Sequence, residues 1–240
     1  MLWRTGFDQS LSMDAFNNQV GIVLQARMGS TRLPGKVLLP LGGTTLLGWI
    51  VQRLRDLPWP VVIATSDTMQ DDDIVRHCEQ SAMQYFRGSE HDVLDRYCQC
   101  ARENGFEHVV RLTADNPFTD VVELQRLVDQ HQAQNNDYTH SFGRLPLGVG
   151  AEIFTFAALQ RSARDGLAAN HREHVNEYIQ ENPEIFTIGV LDVPLAKQKH
   201  HLHLGVDTEA DYQRACWIIA NASTSKIETE EAIKLCSHSA

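Results

Sequence analysis

The sequence predicts a single-domain α/β protein with a mostly parallel sheet flanked by helices. Short apolar, β-branched runs alternate with helical segments, which is typical of parallel strands joined by right-handed crossovers. No repeat, low-complexity tract or linker divides the 240 residues, and a chain of this length can bury a substantial core. The domain is expected at 20–222, between a loosely ordered extension at 1–19 and a polar appendage at 223–240.

The first strand, expected at 20–24, leads into a loop that carries three cations, Arg27, Arg32 and Lys36. Positions 15–55 contain no acidic residue, although the whole chain holds 31. Backbone N–H groups beside glycines can approach phosphate oxygens, and Arg and Lys can neutralise charge that develops during phosphoryl transfer. The loop therefore predicts a polyphosphate site. An ordinary surface loop with scattered charge is the alternative.

Two common phosphate motifs are excluded at this loop. A Walker motif needs a Ser or Thr directly after its lysine, and Val37 stands there instead. The G-x-G-x-x-G turn of dinucleotide-binding proteins is also missing from this position.

The later elements follow the same alternation. Further strands are expected at 61–64, 84–86, 108–112, 153–154, 186–190 and 201–206. Helices are expected at 45–57, from 71–73 onward, and at 91–103, 156–164, 172–181 and 208–221. The glycine-rich stretch at 138–152 interrupts this pattern. Ligands of such sheets bind beyond the carboxyl ends of the strands, where the loops at 25–36, 65–67, 87–92 and 114–117 fall.

Two aspartates are candidates for holding a divalent cation. Asp115 follows the strand at 108–112, and Asp207 follows the strand expected at 201–206. Carboxylate oxygens suit Mg²⁺. Strand alternation would place His201, His203 and Asp207 on one face. Two structural alternatives stay open, namely that Asp115 is the first residue of an Asp-Asn-Pro turn and that Asp207 caps a helix.

Composition limits the remaining classes of function. A net charge of −10 argues against a general nucleic-acid binder. The five cysteines form no C-x-x-C pair, which favours reduced thiols in a cytoplasmic protein. The sequence has no apolar run of transmembrane length and no secretory pattern, so a membrane partner is not expected.

Two segments resemble a known family. Ala26-Arg27 with the run at 30–36 resembles the signature loop of the cytidylyltransferases that activate sugar acids. The longer form at 25–30, and the segment at 111–117, are most similar to the SpsF-like branch, which serves spore-coat polysaccharide. The resemblance implies a fold of the nucleotide-diphospho-sugar transferase type, which is GT-A-like and Rossmann-related. It also implies a homodimer that binds CTP, Mg²⁺ and a small acidic or sugar acceptor.

The resemblance also assigns roles to individual residues. Those implied in catalysis are Arg27, Arg32, Lys36 and Asp115. Those implied in nucleotide binding are Gln25, Ala26, Arg27, Gly29, Ser30, Arg32, Lys36, Ser66, Gly88, Ser89 and Asp92. Those implied in acceptor binding are Glu152, Arg172 and His174, and those implied in metal binding are Asp115 and Asp207. An ion pair with Arg96 is the alternative role for Asp92. Gly150 and His203 stand where relatives carry Asp and Arg, which weakens the analogy for the acceptor.

The function expected from the sequence is therefore that of a nucleotidyltransferase, most simply a CTP-dependent cytidylyltransferase that releases pyrophosphate. Two other functions remain open at this point. One is a glycosyltransferase with a nucleotide-sugar donor on a similar α/β scaffold. The other is a relative that binds nucleotide without turning it over.

Overall fold

The computed structural model describes residues 19–237 and places a seven-stranded sheet at their centre. Its strands in chain order are β1 (Val20–Gln25), β4 (Val61–Ser66), β5 (Gln84–Gly88), β6 (His108–Thr113), β7 (Tyr138–His140), β8 (Glu152–Thr155) and β9 (Ile188–Val190). Their order across the sheet is β5-β4-β1-β6-β8-β7-β9. Only β8 runs antiparallel to its neighbours, while β2 (Pro40–Leu41) and β3 (Thr44–Thr45) form a separate small ribbon. The prediction of a mostly parallel sheet is confirmed.

Helices cover both faces of the sheet. In chain order they are α1 (Leu46–Leu54), α2 (Asp72–Gln80), α3 (Val93–Asn104), α4 (Val121–Gln134), α5 (Phe156–Asp165), α6 (Ala169–Glu173), α7 (Glu177–Glu181), α8 (Glu209–Asn221) and α9 (Thr229–Cys236). Strand β1 shows the layering, because Ile22 and Leu24 join one apolar cluster while Val23 joins the cluster on the opposite face. A strand buried on both faces explains its continuous apolar sequence.

The structure corrects three expectations. The strand expected at 201–206 is absent, and His203 makes only a single bridge to Leu147. The helix expected at 172–181 is two short helices, because the chain turns between them where Asn176 donates to buried Glu152 (3.0 Å). Helix α4 was not expected, although its apolar positions follow a helical period from Leu124 to Val128.

The two chain ends differ in what can be said of them. The extension expected at 1–19 falls almost wholly outside the described residues. Near the other end, Ile227 and Ile233 are buried in the same cluster as β1. Thr229 donates to buried Asp120 (2.6 Å), so the segment from 223 onward is fastened to the start of α4.

A buried ion cluster lies at that junction. The Lys197 ammonium lies 2.8 Å from Asp120 and 3.0 Å from Glu123, and the side chains of all three are less than a tenth exposed. Burial opposes ionisation of Asp120, but hydrogen bonds from Lys197, Thr229 and the Glu123 N–H outweigh it and lower the pKa of Asp120. The cluster joins α4, the segment before α8 and the start of α9.

A buried histidine pair adds a pH dependence to folding. His131 on α4 is fully buried, with its ring nitrogens 3.1 Å from His108 and 3.1 Å from the Thr139 hydroxyl. Burial, reinforced by the neighbouring His108 and opposed by Asp137, lowers the pKa of His131 to about 3. The folded protein therefore keeps this ring neutral at a pH where the unfolded chain protonates it.

We expect the free energy of unfolding to decrease as the pH falls below about 6.5, the value at which the unfolded His131 takes up a proton. His131 alone should contribute a loss of about 2 kcal/mol between pH 7 and pH 5, because one pKa unit corresponds to about 1.4 kcal/mol. Urea unfolding at the two pH values measures this loss, and His131→Gln should show a smaller one. An equal loss in the variant would contradict the assignment to this ring.

Among the helices of residues 19–237, none combines the length and apolar character that crossing a membrane requires.

Candidate active site

The carboxyl edge of the parallel strands opens into a cavity of about 320 Å³. The lining residues come from the loop after β1, the end of β6, the start of α3, the end of α6 and the chain before α8. They are Gln25, Arg27, Ser30, Thr31, Arg32, Lys36, Val37, Val93, Arg111, Thr113, Ala114, Asp115, Glu173, His174 and Asp207. The position agrees with the rule that parallel sheets bind ligands at this edge.

The Lys36 ammonium joins the two aspartates. Its Nζ donates to Asp115 Oδ2 (2.8 Å), to Asp207 Oδ1 (3.0 Å) and to the carbonyl of Val206 (2.7 Å). The lysine side chain is 8% exposed, whereas each aspartate side chain is 31% exposed toward the cavity. Residues far apart in sequence thus meet at one edge of the sheet, as the sequence predicted for Asp115 and Asp207.

The structure removes the helix-cap alternative for Asp207 and keeps the turn alternative for Asp115, which lies in a turn directly after β6. Asp115 Oδ1 accepts from the Thr113 hydroxyl (2.6 Å), and Asn116 in turn donates to that hydroxyl (2.9 Å), which leaves Oδ2 facing Lys36. The cap of α8 is Thr208, which forms a capping box with Asp211. Asp207 is therefore not needed as a helix cap.

Asp207 lies close to two cations, Lys36 and Arg32, and to His203. Besides Lys36, Arg32 Nη2 lies 3.1 Å from Oδ1, and His203 Nε2 lies 3.5 Å from Oδ2. Burial opposes ionisation of Asp207, but the hydrogen bond and charge of Lys36, with the charges of Arg32 and His203, outweigh it and hold the pKa of Asp207 below its ordinary value. The carboxylate stays ionised, as an electrostatic ligand must.

The cationic loop is fixed by a buried acid from outside it. Asp71 accepts from the Met28 N–H (2.7 Å), the Thr65 hydroxyl (3.0 Å) and the Ser66 N–H (3.0 Å). At the far end of the loop, Gly35 takes φ = 70°, a left-handed conformation that favours glycine, and its N–H donates to the Met28 carbonyl. Asp71, directly before α2, thus orders the cationic loop from outside it.

Two glycines bring the second aspartate to the edge of β6. A Cβ built on Gly148 would lie 2.3 Å from the backbone nitrogen of Gly205, so no side chain fits between these two segments. The Val206 N–H then donates to the Asp115 carbonyl (2.8 Å). The close approach of the two backbones thus explains why glycine stands at positions 148 and 205.

A buried network forms the wall opposite the cationic loop. Arg111 on β6 pairs with Glu152 on β8, and Glu152 also accepts from Tyr138 (2.6 Å) and Asn176 (3.0 Å). Glu152 is 1% exposed and does not line the cavity. The expectation that Glu152 contacts the acceptor is corrected here, since both its oxygens are occupied by protein donors. It holds Arg111, which does line the cavity.

The other predicted residues divide into two groups. Those that line the cavity are Gln25, Arg27, Ser30, Arg32, Lys36, Asp115, His174 and Asp207. Those that do not are Ala26, Gly29, Ser66, Gly88, Ser89, Asp92 and Arg172. Gly29 and Gly88 have no side chain that could line the cavity. Ala26 directly follows β1 and Ser66 ends β4, so both lie where a strand passes into its loop. Roles for the second group stay predictions.

Asp92 was expected either to bind nucleotide or to form an ion pair with Arg96, and the structure does not form that ion pair. Its Oδ1 caps α3 by accepting from the Asp95 N–H (2.9 Å), and its Oδ2 lies 3.4 Å from Arg172. Arg96, the expected ion-pair partner, is buried and donates to the Ser89 carbonyl (2.7 Å). Asp92 therefore links α3 to α6, which carries Glu173 into the cavity.

Sequence reasoning missed seven lining residues, namely Thr31, Val37, Val93, Arg111, Thr113, Ala114 and Glu173. A usable signal existed for two of them, because Arg111, Thr113 and Asp115 alternate along one strand and its continuation, and alternate strand residues point the same way. The signal for Val93 and Glu173 was absent, since their position depends on tertiary packing.

The fold is one that solved nucleotidyltransferase structures share. The structure of a CMP:2-keto-3-deoxy-manno-octonic acid synthetase complexed with CTP aligns with a TM-score of 0.64 over 84% of this chain and 98% of that chain. At 16% identity this likeness concerns the fold alone.

More similar proteins identify the family. Residues 21–238 match the family described as Cytidylyltransferase. The spore coat polysaccharide biosynthesis protein SpsF of Bacillus subtilis is 37% identical over 203 residues, which are 82% of this chain and 84% of that protein. A cytidylyltransferase structure from Leptospira borgpetersenii aligns with a TM-score of 0.85 and 30% identity over 92% of this chain and 94% of that chain. The chain belongs to the cytidylyltransferase family and is an enzyme of that type.

Proposed function

We propose that the protein uses CTP and Mg²⁺ to activate a small sugar acid or related acidic acceptor as a CMP conjugate, with release of pyrophosphate. The observation that carries this proposal is the pair of carboxylates, Asp115 and Asp207, held at one point beside a loop with three cations. Such a pair suits a cation that bridges phosphate oxygens, and the loop suits the polyphosphate itself.

The residues present fit a divalent cation. Asp115 and Asp207 offer hard oxygen donors at the edge of an open cavity, and both already accept from one positive group. Within residues 19–237 no third His, Cys, Asp or Glu completes a cluster with them, so the remaining ligands would come from phosphate and water. A bound Mg²⁺ would supply charge neutralisation at the phosphates being separated.

The chain's own residues then act by position and charge. Arg27 and Arg32 lie in the exposed loop and would bind the triphosphate, stabilising the pyrophosphate as it leaves. Asp71 keeps that loop ordered before substrate arrives, which lowers the entropy cost of binding. In the transfer, an acceptor oxygen forms a bond to the α-phosphorus while the bond from that phosphorus to the pyrophosphate oxygen breaks.

We assign the acceptor to the part of the cavity that is lined by residues outside the cationic loop. Arg111, Glu173 and His174 line that side of the cavity, and Arg111 is the positive group that β6 supplies there. Arg111 is already paired with Glu152 and Glu173 adds an acidic side chain, so the acidity of the acceptor is proposed from the relatives alone. By analogy with the SpsF relative, we assign the product to the synthesis of surface or spore-coat polysaccharide. We assign the reaction itself to the cytoplasm.

The proposed assembly is a two-fold homodimer through the stretch at 138–156. Phe142 and Leu147 in this stretch are 41% and 59% exposed, so the stretch offers two large apolar side chains to a partner subunit. Light scattering at micromolar concentration should give twice the chain mass of 27.1 kDa. A monomer mass would refute this part of the proposal.

The function is tested by a thermal-shift panel of the four nucleoside triphosphates with Mg²⁺, followed by a pyrophosphate assay with sugar acids. CTP should raise the melting temperature most, because only a ligand of the folded state stabilises it. Arg27→Ala and Arg32→Ala should weaken the CTP shift with little effect on the protein alone. Stabilisation by a nucleotide sugar and not by CTP would indicate a glycosyltransferase, and CTP binding without pyrophosphate release would indicate a non-catalytic relative.

A further inference from the structure

The Lys36 ammonium uses its entire hydrogen-bonding capacity inside the protein. A protonated lysine has three N–H donors, and these reach Asp115 Oδ2, Val206 O and Asp207 Oδ1 at 2.7–3.0 Å. The side chain is almost wholly buried. In this arrangement no N–H of Lys36 remains for a phosphate oxygen, in contrast to the exposed Arg27 and Arg32.

The ammonium also takes the place that a bridging cation needs. One oxygen of each carboxylate lies within 3.0 Å of Nζ. A second cation held by both carboxylates would therefore lie only a few ångströms from the ammonium. Two like charges at such a separation repel each other strongly in a partly buried site. The two carboxylates can therefore hold either Lys36 or a metal ion, but not both at once.

Lys36 needs a new partner before it can leave. Removing a buried ammonium from two carboxylates without replacing them is costly. The flexible four-carbon stem of lysine can redirect its charge over several ångströms, and the same cavity contains the loop proposed to bind triphosphate. A triphosphate supplies the anionic oxygens that compensate the ammonium after it withdraws.

We infer that Lys36 is an internal counter-ion of the metal site, which keeps Asp115 and Asp207 in place without metal and gives them up only when a nucleoside triphosphate binds. The inference rests on the proposed metal site and adds an order of events to it. Nucleotide and divalent cation bind together, and the nucleotide-free protein has little affinity for the cation. Since binding linkage is reciprocal, the cation must increase the protein's affinity for the nucleotide by the same factor.

The test is Mn²⁺ binding by electron paramagnetic resonance, with no nucleotide present. Wild-type protein should bind Mn²⁺ weakly. Lys36→Met, which keeps the length of the side chain without its charge, should bind at least about 10-fold more tightly, since one tenfold step corresponds to only about 1.4 kcal/mol of repulsion. Lys36→Met combined with Asp207→Asn should lose the gain. Lys226→Met is the control, because it removes a lysine paired with an exposed carboxylate outside the cavity lining.

Equal Mn²⁺ affinity in wild type and Lys36→Met would overturn the inference, as would tight binding by the nucleotide-free wild type. Lys36→Gln serves the same comparison if Lys36→Met fails to fold, because it is neutral and can still donate. The proposed function is judged separately by pyrophosphate release from CTP in the wild type. That assay can succeed when the Mn²⁺ comparison fails, so the two outcomes are distinguishable.

Discussion

Replacing Asp207 with asparagine should lower the rate of pyrophosphate release at saturating CTP and Mg²⁺ by at least about 100-fold. The change removes the charge of a proposed metal ligand, and even indirect partners of metal ligands typically contribute factors of about 10–100. Asp115→Asn should behave in the same way, since both carboxylates share Lys36. A steady-state pyrophosphate assay over a range of Mg²⁺ concentrations measures the effect.

The same substitution should change stability by no more than about 1 kcal/mol, because an asparagine oxygen can still accept from Lys36. Repulsion between two uncompensated carboxylates would make the variant more stable, but Lys36 and Arg32 together already neutralise them. Thr208→Ala is the control, since Thr208 caps α8. It should destabilise by about 1 kcal/mol and retain turnover. Wild-type turnover in Asp207→Asn would remove Asp207 from the metal site.

The largest loss of stability is expected from Lys197→Met, at about 3–5 kcal/mol. The change leaves Asp120 and Glu123 buried without their shared cation, and breaking a buried ion pair from one side typically has this cost. Chemical denaturation at pH 7 measures it. Lys226→Met is the matched control, because the Lys226–Asp56 pair is exposed and should contribute little. Equal losses in the two variants would contradict the role given to burial.

The destabilisation by Lys197→Met should depend on pH in a defined direction. The folded state lowers the pKa of Asp120, so the stability from its ionised form is present above the ordinary aspartate pKa near 4 and is lost as the pH falls through the lower folded value. The difference between wild type and variant should therefore be constant near neutral pH and shrink in acid. Denaturation at pH 7 and below pH 4 provides the comparison.

Local sequence predicted the parallel half of the fold well, because buried strands such as β1 and β4 have nearly continuous apolar sequences that few other structures require. The strand expected at 201–206 failed for a tertiary reason. Leu204 and Val206 are buried, yet the contact between Gly148 and Gly205 holds the chain against another loop instead of a neighbouring strand. Alternating apolar residues indicate that a segment is buried, but they do not show that it pairs with a neighbouring strand.

The candidate site was predictable where chemistry follows directly from residue type. The loop cations and Asp115 line one cavity, as the sequence suggested. The arrangement around Lys36 was not predictable, because its charge suggested a phosphate contact while the fold directs it to two carboxylates. Glu152 was misassigned for a similar reason, since sequence alone does not reveal that its partners are Arg111, Tyr138 and Asn176.

The single antiparallel strand has a consequence for how such enzymes diversify. Strand β8 reverses the chain beside β6, and the segment at 169–174 follows it in the chain, where Arg172 contacts Asp92 and the Ala163 carbonyl. Mutations in that segment can accumulate without disturbing Asp71 or the loop that it orders. A lineage could thus exchange one acceptor for another while its nucleotide chemistry is inherited intact, and a chimera grafted at 169–181 would reproduce that history in the laboratory.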